Sequence, residues 1–184
     1  MKIIIISGFS ATGKSDLAKK ISEKYGYLFI SKDQLKEKMF DIENHNTWDW
    51  KWYEKRALNE LFDKAQTALR HRNNIIIESN FTKKDKTRIL NLINNQHTVY
   101  EIHMNARNFQ HLIRFVKRNE SHNRHKGHHD RRWYFNEFIY SLVGIFGIVW
   151  PYGPLKLSDK LLEIDTTDFS NINYKEVYKF VEST

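Results

Sequence analysis

Between positions 8 and 15 the chain reads Gly8-Phe9-Ser10-Ala11-Thr12-Gly13-Lys14-Ser15, two glycines with four residues between them, then lysine and serine. These residue types in this order suit one task, the cradling of nucleotide phosphates. The apolar run 3–6 leads through Ser7 into the loop, and an amphipathic pattern begins at Lys14. Backbone N–H groups of Gly8, Ser10, Ala11, Thr12 and Gly13 can therefore converge on an anion together with a helix N-terminus. Glycine permits the tight path. Lys14 would reach the β- and γ-phosphates and the Ser15 hydroxyl would hold magnesium, which makes ATP and Mg2+ the expected ligands. The bland alternative is a glycine turn between a strand and a helix; the complete pattern in a strand–loop–helix setting favours the phosphate site.

A second group of candidates lies between His103 and Trp133. Arg107, Arg114, Lys117, Arg118, Arg124, Lys126, Arg131 and Arg132 stand against Glu120 and Asp130, so the segment carries +6. Spacings of seven and four put Arg107, Arg114 and Arg118 on one helix face. His122, His125, His128 and His129 crowd the adjacent loop. Four imidazoles invite a zinc reading, yet no cysteine is present and only Asp130 lies near as a carboxylate. Trp48, Trp50, Trp52 and Tyr53 could stack on a flat substrate or pack at the start of the next helix.

Those groups need elements to hold them. Apolar, β-branched runs without polar alternation at 3–6, 27–31, 75–79, 98–104 and 161–165 predict strands covered on both faces, as in a parallel sheet. Helical patterns separate them. Leu17, Ala18 and Ile21 share a face of a helix over 14–24 that Gly26 ends. Ala57, Leu58, Leu61, Phe62, Ala65, Ala68 and Leu69 mark a long helix over 49–72. Further helices are predicted over 34–40, 83–93 and 108–120, and a core helix over 138–150, interrupted by Gly144 and Gly147 and followed by a loop through 151–154. The βα alternation predicts a doubly wound α/β layer fold with right-handed crossovers.

The whole chain bounds these readings. Its 184 residues and 22.2 kDa suit a single domain, 1–184. Hydrophobic residues make up 40%, enough for a packed interior, and only seven Gly and two Pro argue against a disordered or fibrous chain. With no cysteine, a disulfide framework, a thiolate metal site and a cysteine nucleophile are excluded, and a cytoplasmic location is the expectation. No apolar run reaches the length of a membrane span, so no membrane partner is expected. The net charge of +8 admits an anionic partner of several kinds. Removing the +6 segment leaves +2 elsewhere, so the excess is concentrated in one region.

In its ordered pieces the sequence resembles the small P-loop kinases grouped with zeta toxins, chloramphenicol phosphotransferase and the 5′-kinase domain of polynucleotide kinase. The pieces are the loop from Gly8 to Ser15, Ser31-Lys32-Asp33, Ile75-Ile76-Ile77-Glu78-Ser79-Asn80-Phe81, the arginine-bearing helix, and Leu162-Glu163-Ile164-Asp165-Thr166-Thr167. The resemblance covers almost the whole chain. It implies an adenylate-kinase-like P-loop NTPase of three layers, with five parallel strands flanked by helices and a helical lid over about 107–133. It further implies that Asp33 accepts the proton of a substrate hydroxyl, that Glu78 stands near magnesium or its water shell, and that Asn80 orients substrate. Members often carry arginine three residues after the aspartate; here the residue is Lys36, which keeps the charge and loses the bidentate geometry. Lid arginines, here Arg114 and Arg118 with Arg124 next, would close over ATP and neutralise the transferring phosphoryl group. Structural alternatives stand beside these: Asp33 as a helix cap, Lys36 as a solvated helix residue, Asn80 or Thr82 as a cap, and the basic helix as a contact for nucleic-acid phosphates.

The expectation is an ATP-dependent phosphotransferase that moves the γ-phosphoryl group to a hydroxyl of a small molecule or a polynucleotide 5′ end. Catalytic roles fall to Lys14, Asp33, Arg114 and Arg118, with Lys36, Glu78 and Asn80 toward the substrate. Two other readings stay open: a nucleoside-monophosphate kinase, whose phosphate acceptor needs no base, and an ATP-regulated nucleic-acid-binding module with slow ATPase activity.

Overall fold

The computed structural model describes residues 1–43, 49–107, 109–121, 125–128 and 153–183, with only the backbone of Trp50. Five strands alternate with helices along the chain: β1 Lys2–Gly8, α1 Lys14–Tyr25, β2 Leu28–Ser31, α2 Lys32–Ile42, α3 Trp50–Arg70, β3 Ile75–Glu78, α4 Lys86–Leu90, β4 Thr98–Asn105, α5 Gln110–Glu120, β5 Leu161–Asp165 and α6 Tyr174–Glu182. The sheet is entirely parallel, in the order β2-β3-β1-β4-β5. The predicted strands at 27–31, 75–79 and 98–104 shift by one residue at an end, and β1 extends to include Gly8.

Position in that order explains why β1 is apolar without alternation. Ile4 pairs with Ile76 on one side and Tyr100 on the other, and Ile3, Ile4, Ile5 and Ile6 are all fully buried. Each such isoleucine contributes about 2 kcal/mol of burial. One face, with Ile3, Ile5, Ile75, Ile77 and Val99, packs against Ala57, Leu61, Ala65 and Leu69 of α3 and Leu35 and Met39 of α2. The other, with Ile4, Ile6, Ile76, Tyr100 and Ile102, packs against Leu17, Ala18 and Ile21 of α1 and Val177 and Val181 of α6. The result is the three-layer architecture that the strand pattern predicts.

Local signals set the helix ends. Asp49 caps α3, its side chain accepting from the N–H groups of Lys51 at 3.0 Å and Trp52 at 3.3 Å. Gly26, at φ 67°, ends α1 as expected. The helix predicted over 83–93 is shorter, because Thr82 and Asp85 bond each other and nucleate a separate 3-10 turn, Lys83–Asp85, before α4. Helix α5 begins two residues later than expected, after Phe109 in the left-handed region at φ 57°. Tyr53 is buried and donates to Glu43, while Trp52 stays half exposed beneath Arg56. Trp48, the helix predicted over 138–150 and the first half of the loop 151–154 lie outside the described residues. Among those described, no helix is long and apolar enough to cross a membrane.

Candidate active site

The strand ends and the loop after β1 enclose a cavity of about 320 Å³, lined by Ser10, Ala11, Gly13, Lys14, Ser15, Asp16, Asp33, Glu78, Asn80 and Arg118. It lies at the C-terminal edge of the parallel sheet, where open α/β folds place their ligands. The glycines of the loop are fixed by contacts as well as by conformation. Gly8, at φ 127°, runs so close to β4 that a Cβ would stand 1.9 Å from the Met104 carbonyl oxygen. Gly13, at φ 86°, is the N-cap of α1, and a Cβ there would meet Phe169 at 3.1 Å. Thr12 Oγ1 donates to the Phe9 carbonyl at 2.8 Å, and the Lys14 ammonium donates to the same oxygen. The loop is thus closed on itself, with its lysine folded along it.

Glu78 stands where three elements meet. In register it pairs with Ile6 of β1 and Ser31 of β2, and its Oε2 accepts from Ser31 Oγ at 2.7 Å and Ser15 Oγ at 3.2 Å. Burial pushes its carboxyl above the ordinary range; Lys14 opposes the rise, nearby Asp33 adds to it, and the two serine hydroxyls lower it. A hydroxyl and a carboxylate in contact form a hard oxygen donor set of the kind magnesium takes, so the residues present fit that ion. Asn80 Nδ2 donates to Ser10 Oγ at 2.8 Å, bracing the loop from β3.

Asp33 lines the cavity from the first turn of α2. It does not cap that helix: α2 begins one residue earlier, with Ser31 at the N-cap position. Lys36 is placed differently from the expectation. Its side chain is 5% exposed and its ammonium pairs with Glu54 of α3, as does Lys32 at 2.6 Å. The two ammoniums hold the Glu54 carboxyl below its ordinary value against the effect of burial. Lys36 therefore ties α2 to α3 and is absent from the cavity wall.

The two arginines expected in a lid also separate. Arg118 lines the cavity, and its Nε is buried with no hydrogen-bond partner among the described residues. Arg114, one turn earlier, donates to the carbonyls of Thr166 and Thr167, each at 2.6 Å, and lies over the Phe169 ring at 3.9 Å. It fastens α5 to the loop after β5. His111, in the first turn of α5, stacks on Phe9 of the phosphate loop with centroids 4.5 Å apart. Arg124, His122 and His129 lie outside the described residues.

Sequence reasoning missed Glu54, His111 and the pair formed by Ser7 and His103. Those two residues share a register position on β1 and β4 and bond at 3.0 Å. Burial, aided by Lys14, lowers the His103 pKa to about 4. The polar endings of two otherwise apolar strands were the available signal for Ser7 and His103. Glu54 had none, sitting in a helix whose charges are mostly exposed.

Residues 3–133 match the AAA_33 family, an AAA domain, and this stretch spans the phosphate loop, Asp33, Glu78 and Arg118. The chain belongs to the AAA_33 family. The architecture of this AAA_33 chain is the P-loop kinase-like α/β fold. A kinase candidate from Chloroflexus aurantiacus j-10-fl is similar over 98% of this chain and 96% of its own, with 28% identity and a TM-score of 0.81. A shikimate kinase from Bacteroides thetaiotaomicron shares the fold over 98% of this chain and 94% of its own, at 12% identity and a TM-score of 0.54. A chain of the Pnkp1/Rnl/Hen1 RNA repair complex shares it over 86% of this chain and 49% of its own, at 16% identity and a TM-score of 0.55. No curated protein matches the AAA_33 chain.

Proposed function

We propose that the protein is an ATP-dependent phosphotransferase with a hydroxyl acceptor. The observation that carries this reading is the convergence of Lys14, Ser15, Asp33, Glu78 and Arg118 on one cavity at the sheet edge. Lys14 and the loop amides hold the β- and γ-phosphates. Ser15 and Glu78 would hold magnesium, which when bound neutralises phosphate charge and orients the chain of phosphates. Asp33 accepts the proton of the acceptor hydroxyl as its oxygen bonds to the γ-phosphorus and the bond to the ADP oxygen breaks. Arg118 neutralises charge that develops on the moving phosphoryl group. Arg114 and Lys36 act indirectly in this reading, one by fastening α5 and the other by fastening α2.

Asp33 on the cavity wall favours a hydroxyl over a phosphate as acceptor, because a hydroxyl must lose a proton on transfer and a phosphate acceptor needs no base. The similarity to a kinase candidate at 28% identity supports the class of reaction. The RNA repair complex keeps a polynucleotide 5′ end within the range of acceptors, while the fold of a shikimate kinase keeps small alcohols there. The deciding experiment incubates the chain with labelled ATP, magnesium and a panel of nucleosides, sugars, antibiotics and 5′-hydroxyl oligonucleotides. Transfer of label to one acceptor, with an Asp33→Asn variant slower by about 10²-fold or more, is the expected result. An Asp33→Asn enzyme that transfers at the full rate would remove Asp33 from the mechanism.

A further inference from the structure

The histidine-bearing segment after α5 has a partner away from the phosphate cavity. Its described residues, 125–128, include a single 3-10 turn, Lys126–His128, that lies against α2. His128 Nε2 stands 2.9 Å from Glu37 Oε1, and His125 Nε2 stands 3.1 Å from Asp41 Oδ1. Glu37 and Asp41 are four residues apart, so they share one face of the helix. Phe40 beside them meets the His125 ring edge-on, with centroids 5.5 Å apart. Gly127 packs so tightly there that a Cβ would come within 3.1 Å of the Phe40 side chain.

A solvated loop does not explain this seat. The His128 side chain is only 4% exposed, and its hydrogen bond is the main reason the Glu37 carboxyl lies below its ordinary range. Among the described residues no group of three metal-ligating side chains occurs. Each imidazole meets a carboxylate of α2 instead. The same helix carries Asp33 one turn before Glu37, and the segment follows the helix that carries Arg118 into the cavity.

We infer that residues 125–128 form a clasp seated on Glu37, Phe40 and Asp41, and that Glu37 and His128 are positioning residues which hold α2 against the region beyond α5 so that Asp33 and Arg118 face one cavity. The contact stands on its own geometry; its consequence for turnover rests on the kinase reading. Neither Glu37 nor His128 lines the phosphate cavity, so loss of the clasp acts on kcat and leaves the affinity for ATP in place.

The test uses the full chain and the variants Glu37→Gln, His128→Gln, the double variant and Gly127→Ala, which crowds Phe40 and the His125 ring without altering Glu37 or His128. Backbone amide exchange at 125–128 is expected to quicken by about tenfold in each variant. With magnesium, ATP and water as acceptor, kcat is expected to fall by about tenfold while KM for ATP stays within about twofold. The double variant should be no slower than either single one, because both remove the same bond. Unchanged exchange in both single variants, or kcat losses that multiply in the double, would overturn the clasp. A wild-type chain that turns over no ATP with any acceptor would sink the kinase reading and leave the exchange result to decide the clasp separately.

Discussion

The glycine-loop side and the Asp33 side of the cavity are built in different ways. On the glycine-loop side, eight consecutive residues supply backbone amides, a lysine, a hydroxyl and a helix N-terminus; Thr12 and Lys14 close on the loop's own carbonyl at Phe9, and Glu78 and Asn80 brace it from outside. On the Asp33 side, the helix carrying Asp33 is held by side chains from distant segments: Glu54 of α3 grips Lys32 and Lys36, while His125 and His128 grip Asp41 and Glu37. A local cradle suits a ligand whose phosphates never vary. A scaffold of long-range pairs can be rebuilt one partner at a time.

Substitutions on the two sides should therefore fail differently. Lys14→Ala is expected to reduce phosphoryl transfer by about 10³-fold or more, with a smaller cost in thermal unfolding from the freed Phe9 carbonyl. Calorimetry beside a transfer assay checks both halves of that statement; a large drop in melting temperature would blur the contrast. Glu54→Leu should show the reverse emphasis. It leaves two ammoniums with little exposure and no shared carboxylate, so a loss of about 4 kcal/mol in unfolding free energy is expected from denaturant titration. Stability equal to wild type would mean that water reaches the pair far more freely than the geometry allows.

Beneath the loop, His103 gives a pH test. Its pKa is about 4 in the folded chain against an ordinary 6.5, so the unfolded chain binds a proton that the folded one refuses as pH falls between those values. Stability is then full above about pH 6.5 and falls by about 3 kcal/mol on the way down to pH 4. His103→Gln should flatten that acid limb, as followed by thermal unfolding at several pH values. An unchanged slope would assign the limb to other groups. The smallest effect is expected at Arg114→Ala. It frees the carbonyls of Thr166 and Thr167 and should cost about 1–2 kcal/mol, whereas Arg118→Ala should slow transfer by about 10²-fold with stability intact. Equal kinetic losses for both would erase the division of labour between them.

What could be read in the sequence follows the same divide. The phosphate loop was legible because its chemistry and its structure are encoded by neighbours. Strand β1 was legible because a strand buried on both faces has no reason to alternate. Helical spacing placed Arg114 and Arg118 on one face, yet it could not say which of them reaches the cavity, because one turn along the axis, roughly 5 Å, separates a contact with Thr166 from a place in the wall. Lys36 looked available for substrate because its partner, Glu54, belongs to another helix, and nothing local announces such a pairing. The partners of His125 and His128 were hidden for the same reason: those carboxylates are on α2, more than eighty residues earlier.

The central place of β1 has a further consequence during synthesis. Its two neighbours are β3 and β4, and the β1–β4 ladder joins Lys2 to Thr98 and Gly8 to Met104. A ribosome-bound chain that has released the complete glycine loop still lacks the strand that buries one edge of β1 and the helix that delivers Arg118. Pairing over so long a separation is slow to form and leaves the most apolar strand of the protein waiting in the meantime. The nascent chain thus displays the glycine loop before β4, and Ile3 to Ile6 are the segment most in need of shelter until β4 emerges.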